Sequence, residues 1–209
     1  VAVAFVATVS AQPKPETYQY GEKSGQKLML DHYKAVGVEG LRPCVMFVFG
    51  GAFHHGDRAH KYYLPFFDKL TQAGYDVVSI DYRLGLKNAS SEGGGMVAMI
   101  KLLVQAINFA AEDLFSATRY VLDHAAEWNI DTTKIIASGS SAGAIACLQA
   151  ENYICNGNER AKVLDGFNYA GVISFAGAVF SASGAPDWKS EPCPMLLFHG
   201  NSDSNVPYN

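Results

Sequence analysis

The sequence predicts an α/β protein: a mostly parallel, twisted sheet with helices on both faces. Three observations carry this. Short apolar runs recur along the chain, at residues 44–49, 76–82, 135–138, 171–176 and 195–199. Their length and continuous apolar character suit strands buried on both faces. Helical stretches separate these runs, and strands alternating with helices imply right-handed crossovers into one sheet. Finally, Gly139-Ser140-Ser141-Ala142-Gly143 stands between an apolar run and an alanine-rich helical segment. A strand must turn sharply into a helix there.

In chain order, Val1 to Ala11 reads VAVAFVATVSA, apolar and uncharged, and ends in a small-residue pattern. It reads as the tail of a secretory signal peptide cleaved after Ala11, which implies a secreted or periplasmic protein. Residues 12–209 then form one domain. Pro13-Lys14-Pro15 is a short leader. Residues 18–20 and 27–33 read as the strands of a hairpin, the second with partial alternation. The run Cys44-Val45-Met46-Phe47-Val48-Phe49 closes on Gly50-Gly51. Residues 62–73 are helical, and Gly74 stops them. Residues 110–128 form an amphipathic helix with Leu114, Val121, Leu122 and Ala125 on one face. Residues 96–109 form a separate, more apolar helix, either in the core or in a cap over the site. At that length it is too short to cross a bilayer. Glycines 93 to 95 before it allow a hinge.

Composition excludes several functions. The chain has 209 residues, 49% of them hydrophobic, and a net charge of -4. Its charges are mixed, with no basic stripe, so no nucleic-acid partner is expected. No membrane span is expected either. Four cysteines, Cys44, Cys147, Cys155 and Cys193, match no zinc spacing. Cys147 and Cys155 stand close enough in sequence for a disulfide to be considered, against the plainer reading of buried free thiols. No metal-ligand cluster and no phosphate-binding glycine loop is present, so no metal or cofactor is expected.

The chemistry concentrates at the carboxyl ends of strands, where open α/β sheets bind ligands. At 139–143, a serine in a strained backbone position needs neighbours without Cβ atoms, and Gly139 and Gly143 supply them. The turn pushes the Ser141 hydroxyl outward, and the Ala142 N–H at the helix start faces a developing oxyanion. Phe49-Gly50-Gly51-Ala52-Phe53 ends an earlier strand. His199-Gly200-Asn201-Ser202-Asp203-Ser204-Asn205-Val206-Pro207 ends a later one.

Together these motifs resemble the α/β-hydrolase family, in particular its carboxylesterases close to hormone-sensitive lipase and the prolyl oligopeptidase-like esterases. The resemblance covers residues 18–209. It implies an α/β-hydrolase fold, Ser141 as nucleophile and Asp203 as triad acid. It also implies an oxyanion hole from the N–H groups of Gly51, Ala52 and Ala142. Phe53, His54, His55 and Tyr82 are expected to line the substrate pocket. Phe49 stands where the family has a histidine, which leaves open how the oxyanion loop is anchored. The family order is Ser, acid, His, and no histidine follows Asp203. The base, with a last strand and helix, is therefore expected beyond Asn209, and this chain is expected to be shortened at both ends and impaired. His54, His55 and His199 are weaker candidates for the base; His32, His60 and His124 read as surface or packing residues. Asp81 and Arg83 read as a structural ion pair or loop cap, and Asp113 as a packing residue. The implied activity is hydrolysis of small-molecule or carbohydrate-linked acyl esters through an acyl-enzyme. A serine peptidase of prolyl oligopeptidase type and a non-catalytic binding protein are the alternatives.

Overall fold

A computed structural model describes residues 14–89, 95–181 and 184–207. The expected signal-peptide remnant and glycines 93 and 94 lie outside these residues. Seven strands form one sheet: β1 (Glu16–Lys23), β2 (Gln26–Tyr33), β3 (Arg42–Val48), β4 (Asp76–Ile80), β5 (Ile130–Ser140), β6 (Gly171–Phe175) and β7 (Met195–Phe198). Their order is β1-β2-β4-β3-β5-β6-β7. β1 and β2 pair antiparallel, as does β2 with β4, and every other pair is parallel. Ser24 and Gly25 join β1 to β2, both at positive φ (52° and 73°). That is the two-residue hairpin turn whose twist matches the strands.

From β3 the chain first steps toward β4, then crosses to β5 and continues outward through β6 and β7. Strand order therefore reverses between β3 and β5, which lie side by side with Val48 opposite Gly139. A crevice opens at the carboxyl ends of strands at such a reversal. The elbow and the glycine pair at 50–51 both fall there.

Three helices cross the sheet: α1 (Leu64–Gln72), α2 (Gly95–Trp128) and α3 (Ala142–Cys155), with a short 3-10 helix at Glu159–Leu164. α2 and α3 pack against each other. Right-handed crossovers put them on one face and α1 on the other. Pro65 opens α1, and Gly74 at φ +90° ends it as the Tyr75 N–H reaches back to the Leu70 carbonyl.

The two helices expected over 96–109 and 110–128 are one continuous helix. No glycine or proline lies between them to break it. By length and composition alone α2 can cross a bilayer. Its second part instead joins the core through Ala110, Leu114, Phe115, Ala117 and Val121, all fully buried. Its first turns carry the exposed Met96, Val97, Met99 and Ile100.

β3 is buried over nearly its whole length, as its apolar run predicts. Phe47 packs beneath Tyr63, Phe66 and Phe67 of the α1 region. β7 is the sheet edge, and Leu196, Leu197 and Phe198 are about half exposed.

Ion pairs fix the other end of the sheet. Asp76 is fully buried and takes bonds from Arg42 Nε (2.7 Å), His32 Nε2 (2.7 Å) and the Ala35 N–H (2.9 Å). Burial alone would raise its carboxyl pKa, but these donors outweigh it and hold the group below its ordinary value. Asp81 and Arg83 do not pair with each other. Asp81 accepts from Arg58, while Arg83 grips the buried Asp113 and reaches Glu112. Both lie past Ile80, the last residue of β4, where the strand alternation no longer sets side-chain direction, and each finds a separate partner.

Candidate active site

At the end of β5, Ser141 adopts φ 52°, ψ -119°, a conformation rare for a residue with a side chain. The fold holds it there. The Ser141 N–H donates to the Phe175 carbonyl of the β6 end at 2.8 Å, and the Ser141 carbonyl receives the Ile145 N–H of α3 at 2.9 Å. The flanking glycines are required by contact. A Cβ on Gly139 would lie 2.4 Å from the Gly143 carbonyl group, and one on Gly143 would lie 2.0 Å from the Val48 carbonyl oxygen. Ala142, the first residue of α3, leaves its N–H without an intrahelical acceptor. Among the described residues the Ser141 hydroxyl has no hydrogen-bond partner.

The glycine loop after β3 faces this serine. A Cβ on Gly50 would stand 3.3 Å from Ser141 Cβ and 2.7 Å from the Ser140 carbonyl oxygen, so only glycine allows the approach. Gly51 has φ +130°, and Ala52 and Phe53 follow at +54° and +58°. The N–H groups of His54 and His55 both close onto the Gly51 carbonyl, at 2.9 and 3.1 Å. This turn folds the loop's carbonyl inward. Among the described residues the N–H groups of Gly51 and Ala52 donate to nothing. Free N–H groups on a loop that shares a cavity with a strained serine can hold an oxyanion.

Two tyrosines anchor the loop in place of the family histidine. Tyr82 donates its hydroxyl to the Phe49 carbonyl at 3.0 Å, and its ring packs on Phe49 with centroids 4.5 Å apart. On the other side, the Gly50 N–H donates to the Tyr63 hydroxyl oxygen at 3.1 Å. Burial pushes the Tyr82 hydroxyl pKa far above the ordinary tyrosine value, so it stays a donor.

A cavity of 410 Å³ opens between loop and elbow, lined by Gly50, Gly51, His55, His60, Tyr63 and Ser141 among others. Its membership corrects part of the sequence reading. His55 lines it, and the exposed His54 adjoins it. Phe53 (2% exposed) and Tyr82 (1%) do not line it; both are core residues whose rings meet edge to face. The two positive-φ residues turn the Phe53 side chain inward, away from the cavity. Asp57, His60, Tyr62 and Tyr63 line it as well, beyond the residues the sequence points to. A polar-aromatic cluster just after the glycine loop was the available signal.

Asp203 lies at the same edge of the sheet. Ser140, Phe175 and Phe198 stand in register across β5, β6 and β7, and Asp203 follows Phe198 by one turn. Its Oδ1 accepts the N–H groups of Asn205 (2.9 Å) and Val206 (3.0 Å). These bonds hold its carboxyl below the ordinary aspartate value, so it is ionised at neutral pH. His199 Nε2 sits 2.7 Å from the Val206 carbonyl oxygen and 3.7 Å from Asp203 Oδ2. It therefore braces the 203–206 turn. Among the described residues no histidine is hydrogen-bonded to Ser141.

The suggested Cys147–Cys155 bridge does not form. All four cysteines are free. Two residues eight apart on one straight helix are separated by about 12 Å, beyond disulfide reach. No group of three or more His, Cys, Asp or Glu able to hold a metal occurs among the described residues.

Known proteins agree with this architecture. Over 132 residues the chain is 30% identical to gut esterase 1 of Caenorhabditis briggsae, covering 63% of this chain but only 22% of that protein. Esterase 2 of Thermogutta terrifontis phosphoramylated by tabun superposes with TM-score 0.72 at 23% identity, covering 95% of this chain and 75% of that one. Its butyrate-bound form gives 0.70 at 23%, with 94% and 76% covered. The fold is thus that of the α/β-hydrolases. The BD-FAE sequence profile matches residues 30–180, and with the elbow, the glycine loop and the sheet order in place, the chain belongs to the BD-FAE family, on an α/β-hydrolase fold.

Proposed function

We propose that this protein is a carboxylic-ester hydrolase that forms an acyl-enzyme on Ser141. The observation that carries the reading is the strained Ser141 backbone at φ 52°, on a cavity that Gly50 and Gly51 also line. In this reading Ser141 attacks the ester carbonyl and the alcohol leaves. The oxyanion rests on the N–H groups of Gly51 or Ala52 and Ala142, each worth about 10²- to 10³-fold in rate. Asp203, ionised and with Oδ2 still accessible, orients the histidine that shuttles the proton. Among the described residues no histidine is bonded to Ser141, so the identity of that base is left to experiment.

Acyl groups on carbohydrate are the favoured substrates. Tyr62, 75% exposed at the cavity rim, offers an apolar face for a sugar ring, and His55, Asp57 and His60 offer hydrogen bonds. The butyrate-bound esterase 2 is consistent with a short acyl group. Secretion, as the 1–11 segment implies, suits such substrates.

The test is hydrolysis of p-nitrophenyl acetate and of an acetylated oligosaccharide by the protein. Turnover of both, abolished by Ser141→Ala, is expected. Turnover that survives Ser141→Ala would overturn the proposal.

A further inference from the structure

Two cysteines, Cys155 and Cys193, meet at one carboxylate at the far end of α3 from Ser141. Cys155 donates its thiol to Glu151 Oε1 at 3.6 Å, and the Cys193 N–H donates to the same oxygen at 2.8 Å. Both cysteines thus converge on one carboxylate oxygen. Glu151 is 2% exposed, and its other oxygen, Oε2, is buried without a hydrogen-bond partner. The segment before Cys193 is laced to the same helix end. Ser190 Oγ donates to the Cys155 carbonyl (3.1 Å), the Lys189 N–H to Asn156 Oδ1 (3.1 Å), and Asn152 and Asn156 both donate to the Asp187 carbonyl. Cys155 is buried, whereas Cys193 is partly exposed and lines an open 500 Å³ cleft with Glu151, Tyr169 and Pro194.

We propose that Cys155 and Cys193 are a disulfide-forming pair that staples the end of α3 to the lead-in of β7. The oxidant is a low-molecular-weight disulfide such as oxidised glutathione. The accessible Cys193 loses its proton and attacks one sulfur of the oxidant, forming a mixed disulfide and releasing one thiol. Cys155 then loses its proton and attacks Cys193 Sγ, forming the protein disulfide and releasing the second thiol. Two protein thiols are oxidised by two electrons, and one small disulfide is reduced to two thiols. Burial pushes both thiols above the ordinary cysteine pKa, and the Glu151 carboxylate adds to this, so exchange is slow at neutral pH and quickens as pH rises. The staple ties the helix that begins at Ser141 to the strand that leads to Asp203. It stands independently of any hydrolase activity.

The 209-residue chain, folded and reduced, is incubated at pH 8 with excess oxidised glutathione, and its thiols are counted after unfolding. Free thiols should fall from four to two. Tryptic peptides 135–160 and 190–209 should appear joined, two mass units below their sum, with the bond unaffected by Cys147→Ser. Closing a loop of this length should raise Tm by about 10 °C, reversibly with dithiothreitol. Cys155→Ser or Cys193→Ser should remove the bond and the Tm gain while the reduced Tm stays near wild type. Four free thiols after oxidation, a bond to Cys147, a bond between two chains, or a bond that lowers Tm would each overturn the proposal.

Discussion

Replacing Gly143 by alanine places a methyl carbon 2.0 Å from the Val48 carbonyl oxygen, 2.5 Å from its carbon and 2.6 Å from the Phe49 oxygen. All three are backbone atoms of β3 and its exit, so no side-chain rotation relieves the clash. A carbon–oxygen contact needs about 3.3 Å, so α3 and β3 must part by more than 1 Å. Overpacking of this kind typically costs about 1–3 kcal/mol, and the absence of a flexible neighbour puts this case at the upper end. For about 200 residues that is a Tm loss of about 6–12 °C. The same shift moves Ser141 away from Gly50 and Gly51. A 1 Å misplacement at a reacting centre costs about 10²-fold, so phosphonylation of Ser141 by a fluorophosphonate should slow by about that factor. Gly21→Ala is the control, because a Cβ there meets nothing within 4 Å and the φ is ordinary. Differential scanning calorimetry and timed mass spectrometry read both effects. Gly143→Ala with a Tm within 2 °C of Gly21→Ala and an unchanged labelling rate would refute the reasoning.

Three further outcomes follow from the same geometry. Tyr63→Phe strands the Gly50 N–H, at a cost of about 1–3 kcal/mol, and should slow labelling of Ser141 more than it lowers Tm. Asp76→Asn leaves Arg42 and His32 facing each other without their carboxylate and should cost about 3–5 kcal/mol in chemical denaturation at pH 7. Because the folded Asp76 pKa lies below its unfolded value of about 3.9, its contribution is full above that pH and fades as pH falls through the folded value. The acid limb of a stability–pH curve below about pH 4 should therefore flatten in Asp76→Asn. Phe67→Ala empties a fully buried position between Tyr33, Phe47 and Tyr63 and should cost about 3–5 kcal/mol, read by urea unfolding.

Much of this architecture is legible in the residues because local pattern and global role coincide. The run from Cys44 to Val48 can only be a doubly buried strand, and Gly139 and Gly143 mark a turn that forbids Cβ atoms. Long-range partners are not legible. Nothing local tells that Tyr63 and Tyr82 grip the loop after Phe49 from two sides, or that Arg58 rather than Arg83 meets Asp81. Phe53 reads as pocket-lining because it follows the glycines, but positive φ at two successive residues turns it into the core. The unbroken α2 is not legible because its apolar first turns and amphipathic remainder differ in pattern while sharing one backbone. Cys155 and Cys193 are 38 residues apart, and only the lacing of the 187–193 segment onto the end of α3 brings them to one carboxylate.

A crystal structure of the chain after exhaustive fluorophosphonate treatment tests the central claim most directly. Phosphorus bonded to Ser141 Oγ, with its oxygen about 2.7–3.1 Å from the N–H groups of Ala142 and of Gly51 or Ala52, is the predicted result. An adduct on another residue, or a phosphonyl oxygen turned to solvent away from these N–H groups, would contradict it.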